Sequence, residues 1–197
     1  MEQPTLKWDS INIGQPINEI FNINGPSNIL NGETYDTYRI HIGRQASRGK
    51  HTTWIFDIFN GYRDGETVLF EDQNILILAN NRWKNASINN MALLVFAKDP
   101  ALRTIRDLDG SHIPLLNHMR DKAFTVIKEK YGLKQRQVVA FFHYPPSTYQ
   151  LHAHFVSTQR TETTDSSKHN HSLDMVIASL EAYHDYYKKI NMPTYRA

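Results

Sequence analysis

Three histidines and a glutamine fall within the sixteen residues FFHYPPSTYQLHAHFV, positions 141–156, around a Pro-Pro-Ser turn. Along a strand, alternate side chains share a face, so Gln150, His152, His154 and Val156 point one way and Leu151, Ala153 and Phe155 the other. The second set is apolar and belongs in a core. With Tyr144 and Tyr149 flanking a turn at residues 145–148, an antiparallel partner strand sets His143 opposite Gln150 and Phe141 opposite His152. His143, Gln150, His152 and His154 then share one polar face, bounded by prolines that cannot donate to a sheet ladder.

Two chemistries use such a cluster. Zinc takes three imidazoles, but ligands at i and i+2 on a flat strand with a third across the ladder usually need a further carboxylate, and none is adjacent. The other chemistry is attack by a neutral imidazole on phosphorus, giving a covalent phosphohistidine that water later opens, while neighbouring histidines fix the tautomer and bind phosphoryl oxygens. An ordinary strand with polar outward positions explains a single His-x-His well. It explains four such residues beside a rigid turn less well. The chain has no cysteine, which removes thiol and disulfide chemistry.

The elements that must position this face can be read from the pattern. Residues 1–33, rich in Asn, Pro and Gly, read as loop with a few strand fragments. Thr53 can cap a short helix carrying Trp54, Ile55, Ile58 and Phe59, stopped by Gly61. Three strands follow, in TVLFED, NILILAN and NMALLVFAK. A long amphipathic helix is expected from about Ile113 to Tyr131, with Pro114 in its first turn and Gly132 closing it. QVVAFFHY and YQLHAHFV form two strands joined by a tight turn. A polar loop holding His169 and His171 leads to a last helix over residues 173–190. The order gives an α+β fold with an antiparallel sheet.

A chain of 197 residues, 40% of them hydrophobic, can bury a core without disulfides or metal, so stability accounts for none of the histidines. A net charge of +2, with a pI near 8.7 and no cluster of Lys and Arg, is too mild to announce nucleic acid by electrostatics. No apolar run nears the ~18 residues of a membrane span, so no membrane partner is expected. The first ten residues lack the basic-then-apolar order of a signal peptide. An intracellular setting is therefore expected, with the sequons at Asn85 and Asn170 as chance matches.

QLHAHFV resembles the His-φ-His-φ-His-φ-φ motif of the histidine triad (HIT) superfamily, with Gln150 in place of the first histidine. The longer HYPPSTYQLHAHF resembles the scavenger mRNA decapping enzymes, which carry a similar His-Tyr-x-Pro-Ser segment before their triad. Upstream, WIFDIFNGYRDGETVLFED, ILILANNRWKN and TIRDLDGSHIPLLNHM follow that family in order and spacing. The likeness runs from about Trp54 to Phe155. It implies a HIT-like fold, with a short N-terminal extension at 1–50 and a catalytic domain at 51–197. It also implies a homodimer, no cofactor or metal, and a cytoplasmic location with the nucleus as a second one.

By the same resemblance His152 is the nucleophile, His154 and His143 support it, and Ser147 and Arg82 contact phosphate. Trp54 stacks on a 7-methylguanine base and Asp64 binds that base's edge. Asn80 stands where the family has a second base-binding acid, and Gln150 replaces a triad histidine beside the substrate. These roles suit the side chains: a methylated guanine is cationic, so an indole face gains roughly 0.5–2 kcal/mol of cation–π attraction. A carboxylate can accept hydrogen bonds from guanine N1 and N2, and a guanidinium fork fits phosphate.

The implied function is a pyrophosphatase acting on capped RNA fragments or the cap dinucleotide. It would release 7-methylguanosine monophosphate and a nucleoside diphosphate or short RNA. Two other readings stay open: a general HIT hydrolase of dinucleoside polyphosphates, and a catalytically weak cap-binding paralogue. Because only about fifty residues precede Trp54, where the family has a larger N-terminal domain, a more open site is expected, with Arg44, Arg48 and Lys50 lining an exit for RNA phosphates.

Overall fold

The computed structural model describes residues 32–48, 53–62, 65–80, 87–160 and 170–193. Its helices are α1 (Tyr35–Arg48), α2 (Thr53–Phe59), α3 (Ile113–Tyr131), α4 (Leu173–Ala182) and α5 (Tyr186–Lys189). Its strands are β1 (Val68–Glu71), β2 (Ile75–Ala79), β3 (Ala92–Ala97), β4 (Val138–His143), β5 (His152–Ser157) and β6 (Asn170–Ser172). They form one antiparallel sheet in the order β1-β2-β3-β5-β4-β6. The α+β class, the long helix and the three strands after α2 are as the sequence implies.

Both faces of the sheet centre are covered, which is why β2 (ILILA) and β3 (ALLVFA) read as continuous apolar runs rather than alternating ones. On one face α3 buries Leu116, Met119, Ala123, Val126 and Ile127 at helical spacing, packing with α4 over Ile77, Leu93, Val95, Ala153 and Phe155. Pro114 occupies the first turn of α3, where no intrahelical N–H is lost. Gly132 ends the helix at φ +66, donating its N–H to the Lys128 carbonyl. On the other face α2 lays Ile55 and Ile58 over Leu76, Leu78 and Phe96. That second face continues across β5 and β4 and carries the histidines.

Four features depart from the sequence reading. Residues 35–48, to which the sequence reading assigned no element, form a helix. The β4–β5 register sets Phe141 opposite His154 and Val139 opposite Val156, two residues from the expected pairing. The cause is at Leu151, whose N–H donates to the Leu102 carbonyl and whose carbonyl accepts from Ala97. The chain therefore leaves β4 early, and residues 144–151 form a loop instead of a tight turn. A two-residue shift preserves side-chain parity, so the three histidines still share a face, while Gln150 falls outside the strand.

The last helix is two helices. Tyr183 is extended (φ −141), and the His184 carbonyl is taken by the Gly110 N–H at 2.7 Å, which ends α4 before α5 begins. His171 also lies on a strand, opposite Phe142, rather than in a loop. Arg44 is exposed on α1 and Arg48 closes that helix, while Lys50, Asn85 and His169 lie outside the described residues, as do residues 1–31. Among the described residues, no helix is long and apolar enough to cross a membrane.

Candidate active site

His152 opens β5 directly opposite Phe96 of β3, and their rings stack at 4.8 Å with an interplanar angle of 25°. Two residues on, His154 sits between Leu94 and Phe141, stacked on Phe141 at 5.3 Å and 4°. His143, the last residue of β4, meets His154 edge-on at 4.3 Å, and the His152 and His154 rings are 5.1 Å apart. Strand parity and antiparallel pairing thus deliver a row of three imidazoles, His152–His154–His143, flanked by aromatic rings.

The two nitrogens of His152 have different surroundings. Nδ1 lies 2.7 Å from the carbonyl oxygen of Gln150. A carbonyl can only accept, so Nδ1 carries the proton and Nε2 keeps its lone pair. The ring is 7% exposed, and burial pushes its pKa down to about 4, against the Gln150 carbonyl, which favours the charged form, and with a small further push from His143. A neutral imidazole of fixed tautomer keeps a free lone pair on Nε2, the chemistry a nucleophile needs.

Gln150 is fully buried before the strand begins. Its side-chain Nε2 donates to the carbonyls of Ala97 (2.6 Å) and Asp99 (2.8 Å), and its Oε1 has no hydrogen-bond partner among the described residues. The amide therefore pins the start of β5 to the end of β3, and the expected place of Gln150 on the histidine face is corrected to this anchoring position.

Trp54, 37% exposed at the start of α2, packs its ring at 86° against Phe96 with centroids 5.8 Å apart. One phenyl ring thus bridges the indole and the His152 imidazole. Ser147 is exposed in the 144–151 loop that leads from His143 to His152. Asn80, half-buried, follows β2 directly, its N–H donating to the Ala92 carbonyl. Asp64 and Arg82 lie outside the described residues. Among the described residues, no three His, Asp or Glu side chains converge as a metal site. Phe96 and Phe141 are site residues to which the sequence reading gave no role; Phe141 lay on the histidine face through the pairing of β4 with β5, whereas Phe96 reaches that face only because β3 pairs with β5.

Comparison with known proteins matches residues 53–170 to the family described as scavenger mRNA decapping enzyme C-term binding. An m7GpppX diphosphatase of Caenorhabditis elegans is 31% identical over 140 residues, covering 69% of this chain and 45% of that protein. One of Ascaris suum is 28% identical over 162 residues, 80% of this chain and 54% of that protein. The chain spans about half the length of these relatives. Among solved structures, Hnt3 overlaps with a TM-score of 0.44 at 17% identity, covering 66% of this chain and 78% of that one.

Proposed function

The chain belongs to the scavenger mRNA decapping enzyme family of the histidine triad superfamily, and from that premise we propose that it is a cap pyrophosphatase acting on 7-methylguanosine-capped RNA fragments or the cap dinucleotide. The observation that carries the proposal is the state of His152: buried, neutral, with Nδ1 committed to the Gln150 carbonyl. One nitrogen is left to react. Its Nε2 lone pair attacks the phosphorus next to 7-methylguanosine, and the bond from that phosphorus to the bridging oxygen breaks. The electron pair leaves on a nucleoside diphosphate or an RNA 5′-diphosphate. The ring, now phosphorylated on Nε2 and protonated on Nδ1, is cationic, and the Gln150 carbonyl steadies that charge. Water then attacks the same phosphorus, the P–N bond breaks, 7-methylguanosine monophosphate departs and the proton of water passes to solvent.

In this reading His154 and His143 hold the phosphoryl oxygens in flight. Ser147 and Arg82 grip the phosphates, Trp54 stacks on the base, and Asp64 and Asn80 bind the base edge. The catalytic unit is the domain at 51–197, and the protein works as a homodimer in the cytoplasm.

The test is turnover of methylated and unmethylated cap dinucleotides by the purified chain, side by side. The proposal predicts hydrolysis of the methylated substrate and slower hydrolysis of the other. Equal rates would favour a general dinucleoside polyphosphate hydrolase, and binding without turnover a cap-binding paralogue.

A further inference from the structure

The loop at residues 144–151 matters at both ends. His143 precedes it, and Gln150, whose carbonyl sets the His152 tautomer, lies near its close. Its ends are tied by two tyrosine hydroxyls to one segment remote in sequence. Tyr144, 2% exposed, donates to the Glu33 carboxylate; burial, then that carboxylate, hold its pKa well above the ordinary phenol value, so the hydroxyl keeps its proton. Tyr149 shares a 2.8 Å hydrogen bond with His41 Nε2 on α1, the two rings lying 5.6 Å apart.

That segment is itself anchored. The backbone of Glu33 exchanges hydrogen bonds with Met192 at 2.7 and 3.1 Å, and its carbonyl accepts from Nη2 of the fully buried Arg106 at 3.2 Å. Further along α1, Tyr38 donates to the Asp107 carboxylate at 2.7 Å. Both Glu33 and His41 precede the residues matched by the decapping family.

We propose that the segment from Glu33 through α1 is a strap that positions the 144–151 loop, with Glu33 and His41 acting as positioning residues for the phosphate side of the site. The strap acts through Tyr144 and Tyr149 and touches no reacting atom. Its kinetic consequence rests on the cap-pyrophosphatase reading; its structural content does not.

The experiment uses the full chain and the variants His41→Leu, Tyr149→Phe, the corresponding double variant, Glu33→Ala and Glu33→Gln. Amide hydrogen exchange in residues 147–150 should rise about five-fold in His41→Leu and in Tyr149→Phe, the factor expected for one lost hydrogen bond. Turnover of the methylated cap dinucleotide should fall about ten-fold in kcat with KM little changed, the scale on which loosened positioning acts. The double variant should match either single one, because both break the same bond. Glu33→Gln, which still accepts from Tyr144, should restore what Glu33→Ala loses. Unchanged exchange in the loop, additive losses, or faster exchange with unaltered kcat would each overturn the strap. If the wild-type chain turns over no cap, the functional reading falls, and loop exchange alone decides the strap.

Discussion

At the scale of single residues, His152 makes a pH-dependent contribution whose sign follows from burial. Above about pH 7 the ring is neutral in folded and unfolded chains alike and contributes nothing. As pH falls through 6.5, the unfolded chain takes up a proton that the folded one refuses until about 4, so folded-state stability is lost across that window. The loss approaches about 3 kcal/mol at its lower end. Denaturant unfolding at several pH values should therefore show wild type falling more steeply between pH 6.5 and 4 than His152→Gln; parallel curves would show that the ring is not held neutral. Trp54 gives a second prediction. Trp54→Ala should weaken a methylated cap by roughly 1–3 kcal/mol, the scale of one lost base stack, and an unmethylated cap by less, since that ring carries no charge. Equal losses in titrations with the two ligands would contradict the assignment. The three imidazoles were legible because strand parity needs only residue spacing. The Phe96 and Phe141 stacks were not, because they depend on which strands become neighbours.

At the scale of elements, the sequence was clearest where local signals agreed. In α3, apolar spacing, Pro114 and Gly132 specify one helix, which runs over Ile113–Tyr131 as read. Helix α1 was not legible. Its sequence YDTYRIHIGRQASR holds Gly43, Thr37, Ile40 and Ile42, all poor helix formers, so burial of Tyr38 and Ile42 must decide its state. The β4–β5 register was hidden for a related reason: it is fixed by contacts of Leu151 with Leu102 and Ala97, about fifty residues away in sequence. Gln150 belongs to the same junction. Gln150→Met should cost about 1–3 kcal/mol, because the buried Ala97 carbonyl and the part-buried Asp99 carbonyl lose this donor. It should also slow turnover, because the Gln150 carbonyl that fixes His152 moves with it. Thermal unfolding together with kcat checks both effects, and a variant matching wild type in both would show that the amide anchors nothing.

For the whole molecule, the first and last described segments are tied together through one buried cation. Arg106 donates to the Ile190 and Glu33 carbonyls and lies 5.7 and 5.8 Å from the ring centroids of Tyr35 and Tyr38. A sequence cannot announce a buried arginine of this kind, because its partners are backbone carbonyls with no residue signature. Arg106→Leu should lower unfolding stability by about 1–3 kcal/mol, because the Ile190 carbonyl loses its donor while the Glu33 carbonyl keeps that of Met192. An unchanged denaturant midpoint would show that the ends are held by other contacts. This frame supports a site whose central claim is covalent: Nε2 of His152 carries the phosphoryl group between the two halves of the reaction. The direct measurement is rapid quenching of the protein with methylated cap dinucleotide, followed by mass spectrometry of the peptide containing His152. The account predicts a transient 7-methylguanosine monophosphoryl adduct on His152 that decays as free 7-methylguanosine monophosphate appears, and neither adduct nor turnover in His152→Ala. Wild-type turnover in His152→Ala would contradict it.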